Sequence, residues 1–545
     1  MKRLLGLALL AVGCTRPEVG VWMQKLPVQS ALKPDLLVQL ASSPGLSPEK
    51  WPAAMQQDRQ PRILWLTWPG GKVSLGRANG LRGALEMALG PGPVDCEWLK
   101  IDVVSLSDSR REQLQTGLDG VACSIPPRAF LPDQLSHRAL LRNGKLRKDF
   151  NQRQGLQADA ELPTFRFRTQ QALWTRRTTE PLYRGHRLYR SEDITSVQLL
   201  QAASLAGDFL VRQLDSSGRF DYAYHPAEDR SESGYNTLRH AGACYALAQL
   251  SRASGRPEYA RAAASGLGYL VSQLKPAGPG RLALVEQGSV KLGGNALAVV
   301  ALLEYQEATS DRRWWPQARQ LGLSLLAAQA PSGAFPVHKS DFGSGASLDF
   351  TSGYYPGEAL LALLYLDRQE PHGPWLEACR RGAVYLIVKR DGATPEARLP
   401  HDHWLLLALD QLQARQPDPL YPAHMRKLCA AIGQAQLRSQ PELDWNGGFY
   451  RPPRTGPTAI RCEGLAAACP WLEKSQRAEV RENLLNGLAF LLQTQLQPES
   501  CVYFPKPERA LGAIPRSLTN YEVRIDYSQH FISAALGARR LFKSP

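Results

Sequence analysis

The sequence predicts a mainly helical protein in which six helical hairpins form a closed ring, preceded by a small α/β domain. Polar residues recur at the start of every second predicted helix at intervals of about 57 residues, which is the length of two helices of three to five turns with their loops. An open stack of six hairpins would leave apolar faces exposed at both ends, so we expect the ring of twelve helices to close. The polar markers are His240, Asn295, Glu358, Asp402, Glu463 and Asp526.

Apolar residues at helical spacing define the alternating helices of this ring, which we place at residues 195–545. The inner helices, such as 295–304 and 358–366, contain more Ala and Gly, and small side chains let helices crowd around a narrow axis. The outer helices are predicted at 199–214, 256–274, 314–329, 373–388, 420–436 and 476–495.

A second repeat supports the ring. Three triplets that combine glycine with an aromatic residue each precede an inner helix, and they fall about 115 residues apart, which is the length of two units. In each triplet we expect the glycine to turn the chain, while the aromatic side chain either lines a cleft or packs in the core. The triplets are Gly218–Phe220, Gly333–Phe335 and Gly448–Tyr450.

The region before the ring changes character. We place a small α/β domain at 59–180, joined to the ring by a linker of mixed charge at 176–193. An alternating apolar pattern predicts strands, the first of which ends at the turn Pro69–Gly71, and one segment has helical periodicity. The strands are predicted at 62–68, 98–104 and 165–169, and the helix at 81–89.

The order of elements in this domain resembles, remotely, the AMMECR-type domain. That family combines a Leu-Arg-Gly motif before a helix, a strand, a Gly-x-x-Gly turn and a Leu-Pro-Gln-Val segment. Its Cys after Leu-Arg-Gly is replaced by Ala84, so the resemblance implies a fold and not the chemistry of that Cys. The matching segments are Leu81–Gly83, Ile101–Leu106, Gly117–Val121 and Leu131–Leu135.

Composition describes a globular protein of two domains. The chain has 545 residues, of which 43% are hydrophobic and 21% charged. The formal net charge is +15, and the basic residues are scattered without a nucleic-acid motif, so we expect no nucleic-acid partner. An anionic polymer, a negatively charged cell envelope or an Arg-rich proteome explains this charge equally well.

The amino terminus predicts export. Met1–Arg3 is basic, and Leu4–Val12 is apolar but too short to span a bilayer. Ala11–Cys14 resembles the bacterial lipobox, which implies a signal peptide at 1–14 and lipidation of Cys14; an ordinary signal peptide is the alternative. Residues 15–58 are polar and Pro-rich and are predicted to be a tether.

The remaining cysteines predict neither a zinc site nor a defined disulfide framework. They form no Cys-x-x-Cys pair and have no His partner at zinc spacing, although an exported protein permits disulfides. We expect small buried thiols at the four that lie in apolar helical runs, Cys244, Cys379, Cys429 and Cys469. His401 and His403 would diverge on a helix, so no metal and no cofactor is predicted.

The first and last inner helices carry similar polar triplets. Asn236, Arg239 and His240 are spaced i, i+3, i+4, as are Asp526, Gln529 and His530, so each triplet shares one helical face. In a closed ring these two helices are neighbours. The triplets therefore predict either a site that binds an anionic sugar and moves a proton, or a polar seam that closes the ring.

Carboxylates at the helix starts are the other catalytic candidates. Each alone is ordinary helix-start chemistry, but four at one mouth suit acid/base work on a glycan, which needs two carboxyl groups about 5–10 Å apart. The predicted catalytic residues are His240, Glu358, Asp402, Glu463, Asp526 and His530. The predicted substrate-binding residues are Tyr235, Asn236, Arg239, Asn295, Tyr354, Tyr355, His403, Trp404, Arg461, Arg524 and Tyr527.

These helical repeats, with Gly-x-Phe before inner helices, resemble the (α/α)6 toroids of glycoside hydrolases, uronate lyases and glucuronyl epimerases acting at carbon 5. Terpenoid cyclases and lanthionine-synthetase-like proteins share this architecture, but none of their signature motifs is complete here. Fold resemblance does not fix chemistry.

Together with the amino-terminal pattern, the resemblance implies an exported, lipid-anchored enzyme acting on an acidic envelope or extracellular polysaccharide. In an epimerase or lyase, Arg239 or Arg461 would neutralise the substrate carboxylate while His240, Tyr355 or Tyr527 moves the proton. In a hydrolase, Asp526 or Glu358 would be the acid and Asp402 or Glu463 the base. The alternative is a non-catalytic glycan-binding or assembly factor of a surface-polymer system.

Overall fold

The computed structural model describes residues 57–91, 94–109, 113–123, 128–157, 159–160, 162–163 and 165–542, without the side chains of 106–109. Cys14, the predicted signal peptide and the predicted tether up to residue 56 lie outside the described residues. The chain divides into two compact units. The first ends at Leu188 and also includes Pro226–Asp229 and Gln497–Glu508; the second comprises Tyr189–His225, Arg230–Leu496 and Arg509–Pro545.

The first unit is built on an eight-stranded antiparallel sheet. The strand order is β8-β7-β6-β3-β1-β2, and β4 pairs with the first residues of β6 and with β5. The strands are β1 (Pro61–Thr67), β2 (Val73–Asn79), β3 (Trp98–Ser109), β4 (Asp119–Cys123), β5 (Arg128–Phe130), β6 (Phe165–Thr175), β7 (Thr179–Tyr183) and β8 (His186–Arg187).

The predicted strands and helix of this unit are all present. The helix Leu81–Leu89 packs on β1 and β2, and it does so closely because Gly76 has no side chain: a Cβ there would lie 1.7 Å from the carbonyl oxygen of Ala84. The prediction of a linker at 176–193 is wrong in part, since this segment contributes β7 and β8 to the sheet. The likeness to the AMMECR-type domain stays a prediction.

The second unit contains the twelve predicted helices in six hairpins. The outer helices are α1 (Ser196–Arg212), α3 (Pro257–Ser272), α5 (Trp315–Ala328), α7 (Trp375–Val384), α9 (Leu420–Ala435) and α11 (Lys474–Thr494). The inner helices are α2 (Thr237–Ser254), α4 (Leu292–Thr309), α6 (Tyr355–Gln369), α8 (His403–Arg415), α10 (Thr455–Ala468) and α12 (Ile525–Arg539).

The inner helices form a closed ring, as predicted. Each packs on the next, and α12 packs on both α10 and α2. Residues near the start of one inner helix meet residues near the start of its neighbour: Arg239 Nε lies 3.3 Å from Asp526 Oδ2, and a Cβ at Gly357 would lie 2.6 Å from the backbone nitrogen of Leu405. The inner helices are therefore parallel, and their amino-terminal ends surround one mouth of the ring.

Burial explains why the inner helices are rich in small and apolar residues. In α4 every residue from Leu292 to Gln306 is buried, because other helices surround it on all sides. A helix in that position has no face turned to water, so its sequence loses the one-sided pattern of a surface helix. The outer helix α1, which buries one face, keeps that pattern.

Glutamine side chains join neighbouring hairpins at the ends of three outer helices. Each donates its Nε2 to the carbonyl of a turn glycine and to a carbonyl of the next outer helix around the ring. Gln495 links the last outer helix to the first, since its Nε2 lies 2.8 Å from the carbonyl oxygen of Ala202 and 3.1 Å from that of Gly512. The equivalent pairs are Gln329 with Gly333 and Ala378, and Gln436 with Gly447 and Asn483.

The glycine–aromatic repeat is present, but its third copy was misaligned by one residue. The glycine with positive φ is Gly447 (φ 83°), in the place taken by Gly218 (φ 81°) and Gly333 (φ 91°), so the third triplet is Gly447–Phe449 and not Gly448–Tyr450. The aromatic residues of the three triplets, Phe220, Phe335 and Phe449, are buried. They therefore belong to the core and do not line a cleft.

The cysteines and the helices agree with two further expectations. Cys244, Cys379, Cys429 and Cys469 are free and buried, as predicted for small apolar side chains in helices. None of the helices in the described part of the chain is both long and apolar enough to cross a membrane.

Candidate active site

Three side chains from successive inner helices meet at the mouth of the ring. His403 is the first residue of α8, Glu463 lies in α10, and His530 lies in α12. His530 Nδ1 is 2.8 Å from Glu463 Oε2, His403 Nε2 is 3.5 Å from the same oxygen, and the two imidazole rings are 5.4 Å apart. We call these residues the His–Glu–His cluster.

Burial sets the charge states in the cluster. It raises the pKa of Glu463, against the opposing effect of His530, and it lowers the pKa of His403 well below its usual value, to which the nearby His530 and Arg461 also contribute. Within the described ranges, neither ring nitrogen of His403 has a hydrogen-bond partner, and Glu463 Oε1 has none either. His403 is thus a neutral imidazole with a lone pair available to take a proton.

Aromatic rings enclose the cluster. Tyr354 packs edge-on against His403 at 5.5 Å, and Trp404 contacts both His403 and His530. Trp404 is buried, whereas Tyr354 remains 37% exposed. Tyr354 therefore offers a ring face on which a sugar could stack beside the cluster.

The cluster also has the donor set of a metal site. One atom from each of the three residues lies within 4.8 Å of the others, and two imidazoles with one carboxylate suit zinc and other divalent transition metals. The prediction of no metal rested on the divergence of His401 and His403. That argument does not cover this cluster, because the partners of His403 come from other helices.

Two of the predicted carboxylates have different surroundings. Asp402 caps α8, since its Oδ1 accepts a hydrogen bond from the Leu405 amide at 3.0 Å and its Oδ2 accepts one from Arg390 Nη1 at 2.9 Å. Glu358 is buried, and its Oε2 has no partner; burial, and then the charge of Asp402, raise its pKa well above the usual value. Glu358 is therefore a neutral acid, while both oxygens of Asp402 are occupied.

The first and last inner helices meet in an ion-pair network. Arg524 binds both oxygens of Asp526, at 2.6 and 2.9 Å, and Arg239 approaches Asp526 and contacts the hydroxyl of Tyr222. Burial alone would raise the pKa of Asp526, but the two arginines lower it. The guanidinium of Arg524 also lies over the ring of Tyr527 at 4.4 Å. The network closes the ring, as one of the two sequence interpretations predicted.

His240 does not join this network. Its Nε2 donates to the Gly266 carbonyl at 2.7 Å, so its Nδ1 accepts from the Tyr235 hydroxyl at 2.7 Å. Burial lowers its pKa to about 4. Both nitrogens are occupied and the ring is buried, which favours a structural role for His240 and Tyr235. Their catalytic and binding roles stay predictions.

Three more predicted binding residues stabilise local structure. Asn236 caps α2 by accepting from the Arg239 amide at 3.1 Å, and Asn295 accepts from the Leu284 amide at 2.8 Å. Tyr355 is buried, and its ring lies 5.6 Å from that of Phe350. Both asparagine side chains have these partners inside the fold, and their predicted contact with a substrate is untested.

Arg461 lies in α10, two residues before Glu463. Its Nε donates to His401 Nδ1 at 2.8 Å and its Nη1 donates to the Pro457 carbonyl at 2.7 Å. The guanidinium also lies over the rings of Phe449 and Tyr450, at 4.7 and 5.4 Å. This stacking holds the cation in a fixed orientation at the mouth.

Sequence reasoning named every member of the His–Glu–His cluster but did not group them. It paired His530 with His240 because their helices are neighbours, and it took Asp402 as the marker of its helix. His403, Glu463 and His530 are the first, ninth and sixth residues of three consecutive inner helices, so they share no sequence position that would have grouped them.

Solved structures similar to the second unit define its fold class. D-mannose isomerase matches with a TM-score of 0.50 and 13% identity over 65% of this chain and 100% of that one. Cellobiose 2-epimerase from Spirochaeta thermophila matches at 0.48, with 16% identity over 65% and 97% of the two chains. An α-1,6-mannanase from Salegentibacter matches at 0.46, with 14% identity over 63% and 100%.

The second unit therefore has the (α/α)6-toroid fold found in carbohydrate-active enzymes, as the sequence predicted. At 13% identity this similarity shows the fold alone. The chemistry has to be argued from the residues of the site. No protein-family model and no curated protein matches the sequence.

Proposed function

We propose that the second unit is an enzyme that moves a proton at a saccharide carbon next to a carbonyl or carboxyl group. The observation that carries the proposal is the neutral, unpartnered imidazole of His403 beside the Glu463–His530 pair. The substrate class agrees with the name of D-mannose isomerase, whose fold the unit shares.

The residues divide the chemistry as follows. An imidazole nitrogen of His403 takes the proton when the C–H bond breaks, and the electron pair passes into the adjacent carbonyl or carboxyl group. His530 returns a proton to the resulting enolate, and Glu463 at 2.8 Å stabilises the charged form of His530. No oxidant, reductant or other co-reactant is required.

Hydrolysis fits the same residues less well. A two-carboxylate mechanism needs one protonated acid and one ionised base near the scissile bond. Burial raises the pKa of Glu358 well above its usual value, which favours its acid form. Glu463 is hydrogen bonded to His530, and the oxygens of Asp402 and Asp526 are held by arginines or by the backbone. Among the described residues, these four carboxyl groups thus supply a candidate acid but no free carboxylate base.

Deuterium incorporation tests this function without knowledge of the product. The purified protein is incubated in D2O with aldoses, ketoses, uronic acids and their oligomers, each followed by NMR and mass spectrometry. We expect deuterium at one carbon of at least one saccharide. Glycan release without carbon-bound deuterium would indicate hydrolysis, and binding without any product would support the non-catalytic glycan-binding alternative.

We also propose that the protein is exported and anchored through Cys14, on the strength of the basic start, the short apolar run and the lipobox-like Ala11–Cys14. Expressed in a bacterial host with radiolabelled palmitate, the wild type should be labelled and Cys14→Ser should not. Cys96→Ser, which changes a partly buried cysteine of the first unit, serves as the matched control. Equal labelling of Cys14→Ser and wild type would exclude the anchor.

A further inference from the structure

Arg461 is a buried cation for which the described part of the chain supplies no counter-ion. Its residue is only 6% exposed, and among the described residues its hydrogen bonds go to the neutral acceptors His401 Nδ1 and the Pro457 carbonyl. Because His401 Nδ1 accepts the hydrogen bond from Arg461 Nε, that nitrogen carries no proton and the imidazole is uncharged. An unpaired charge in a buried position is costly unless something else neutralises it.

Three other arginines near the mouth are neutralised within the fold. Arg239 and Arg524 share the carboxylate of Asp526, and Arg390 binds both Asp391 and Asp402. Arg461 differs from them because no carboxylate among the described residues lies within ion-pair distance of it. Its charge is therefore available to a ligand.

Two partly exposed rings flank this cation. Tyr450 is 49% exposed and has φ 73°, a left-handed conformation that is uncommon for a large side chain, and Tyr354 is 37% exposed and within electrostatic range of Arg461. Sugars stack on such rings, and a planar guanidinium binds a carboxylate with two parallel hydrogen bonds. Ring faces and a fixed cation together suit a sugar that carries a carboxylate.

We infer that Arg461 binds the carboxylate of an acidic saccharide, so that the substrate of the His–Glu–His cluster is a uronic acid residue. This inference rests on the proposed function. It narrows the substrate class from any sugar with an acidic C–H bond to uronic acids. Arg461 Nε lies 2.8 Å from His401 Nδ1, and His401 is two residues before His403, so a carboxylate bound here lies near the proposed base. Its positive charge would stabilise the negative charge that develops on the carboxylate when the adjacent C–H proton moves to His403.

Matched saccharides test the inference directly. Hexuronic acid oligosaccharides and their carboxyl-reduced counterparts differ in the anionic group alone, and a sulfated neutral oligosaccharide tests whether any anion suffices. We expect calorimetry to show the acidic form binding about tenfold or more tightly than the reduced form. Arg461→Gln should remove this preference, and Arg461→Lys, which keeps the charge without the planar fork, should retain part of it.

The control is Arg426→Gln, which removes the same charge from an exposed position on α9 and should leave the preference intact. Thermal melting of each variant shows whether it folds. If Arg461→Gln does not fold, Arg461→Lys still tests the inference. Equal binding of acidic and reduced forms, or equal preference in wild type and both Arg461 variants, would overturn the inference. Preference for the sulfated compound over the uronate would also overturn it.

Deuterium incorporation separates this inference from the proposed function. Deuterium exchange on neutral sugars, with uronates neither bound nor exchanged, would contradict the inference about Arg461 and support the proposed function. Arg461-dependent binding of uronates, without deuterium exchange on any saccharide, would support the binding site and contradict the proposed function. Exchange confined to uronates and lost in Arg461→Gln would support both.

Discussion

His403 and His240 both lie near the start of inner helices, yet their ring nitrogens have opposite surroundings. Both nitrogens of His240 are hydrogen bonded inside the core, whereas both nitrogens of His403 are without partners. A histidine whose nitrogens are occupied positions the chain around it. A histidine with unpartnered nitrogens next to a carboxyl group is equipped to transfer a proton.

The structural role of His240 predicts a pH-dependent loss of stability. Its folded-state pKa of about 4 lies below the unfolded value near 6.5, so its contribution is present above pH 6.5 and is lost as the pH falls towards 4. We expect His240→Gln to be less stable than wild type by about 1–3 kcal/mol at pH 7.5. The difference should narrow between pH 6.5 and 4.

Urea unfolding at several pH values measures this difference in the free energy of unfolding. The contributions of the other buried histidines cancel in the comparison, because both proteins contain them. Normal stability of His240→Gln at pH 7.5, combined with complete loss of activity, would instead return His240 to the active site.

Metal removal distinguishes the two chemistries that the His–Glu–His cluster permits. If His403 and His530 move protons as free imidazoles, dialysis against EDTA should leave deuterium exchange unchanged. Elemental analysis of the dialysed protein verifies that transition metals are absent. Loss of exchange that returns with added zinc would show that the cluster is a metal centre and that a bound ion is needed.

At the scale of secondary-structure elements, the glutamine bridges predict where the ring is most sensitive. Gln495→Ala would leave the carbonyls of Ala202 and Gly512 without this donor at the junction of the last and first outer helices. We expect a loss of about 1–2 kcal/mol in the free energy of unfolding, since buried acceptors lose their partner. Gln434→Ala, at the exposed penultimate residue of α9, should change this free energy little. Equal stability of both variants would show that the bridges contribute nothing.

The outer helices were predictable to within a few residues because most of them, such as α1, bury one face, which leaves a helical period in the sequence. The inner helices were recognised from their polar starts, since elements such as α4 are buried on every side and have no such period. The His–Glu–His cluster was not predictable in the same way. Whether Asp402 or His403 faces the mouth depends on the phase of the first helical turn, and the approach of α8, α10 and α12 depends on packing between helices.

At the third glycine turn, the sequence likewise does not show which residue has the turn conformation. Both Gly447 and Gly448 precede Phe449, and only the backbone conformation shows that Gly447 has the positive φ. In the first unit, the short strands β7 and β8 were missed because each is too brief to display an alternating pattern.

At the scale of the whole second unit, ring closure and the site depend on each other. Six parallel inner helices place their starts at one mouth, so side chains separated by more than a hundred residues, such as His403 and His530, come within 5.4 Å. The ends of the same helices at the other side of the ring are held by separate ion pairs, such as Arg252 with Glu304. The site can therefore vary without loss of the ring.

The rate of deuterium incorporation in histidine variants tests the central claim most directly. With a saccharide that the wild type exchanges, His403→Asn and His530→Asn should each lower the rate by about a hundredfold or more, the usual contribution of a positioned acid or base. Thermal melting shows that each variant is folded, and His372→Gln, at an exposed histidine, should exchange at the wild-type rate. Wild-type exchange in folded His403→Asn and His530→Asn would contradict the account, because the proton would then move without either imidazole.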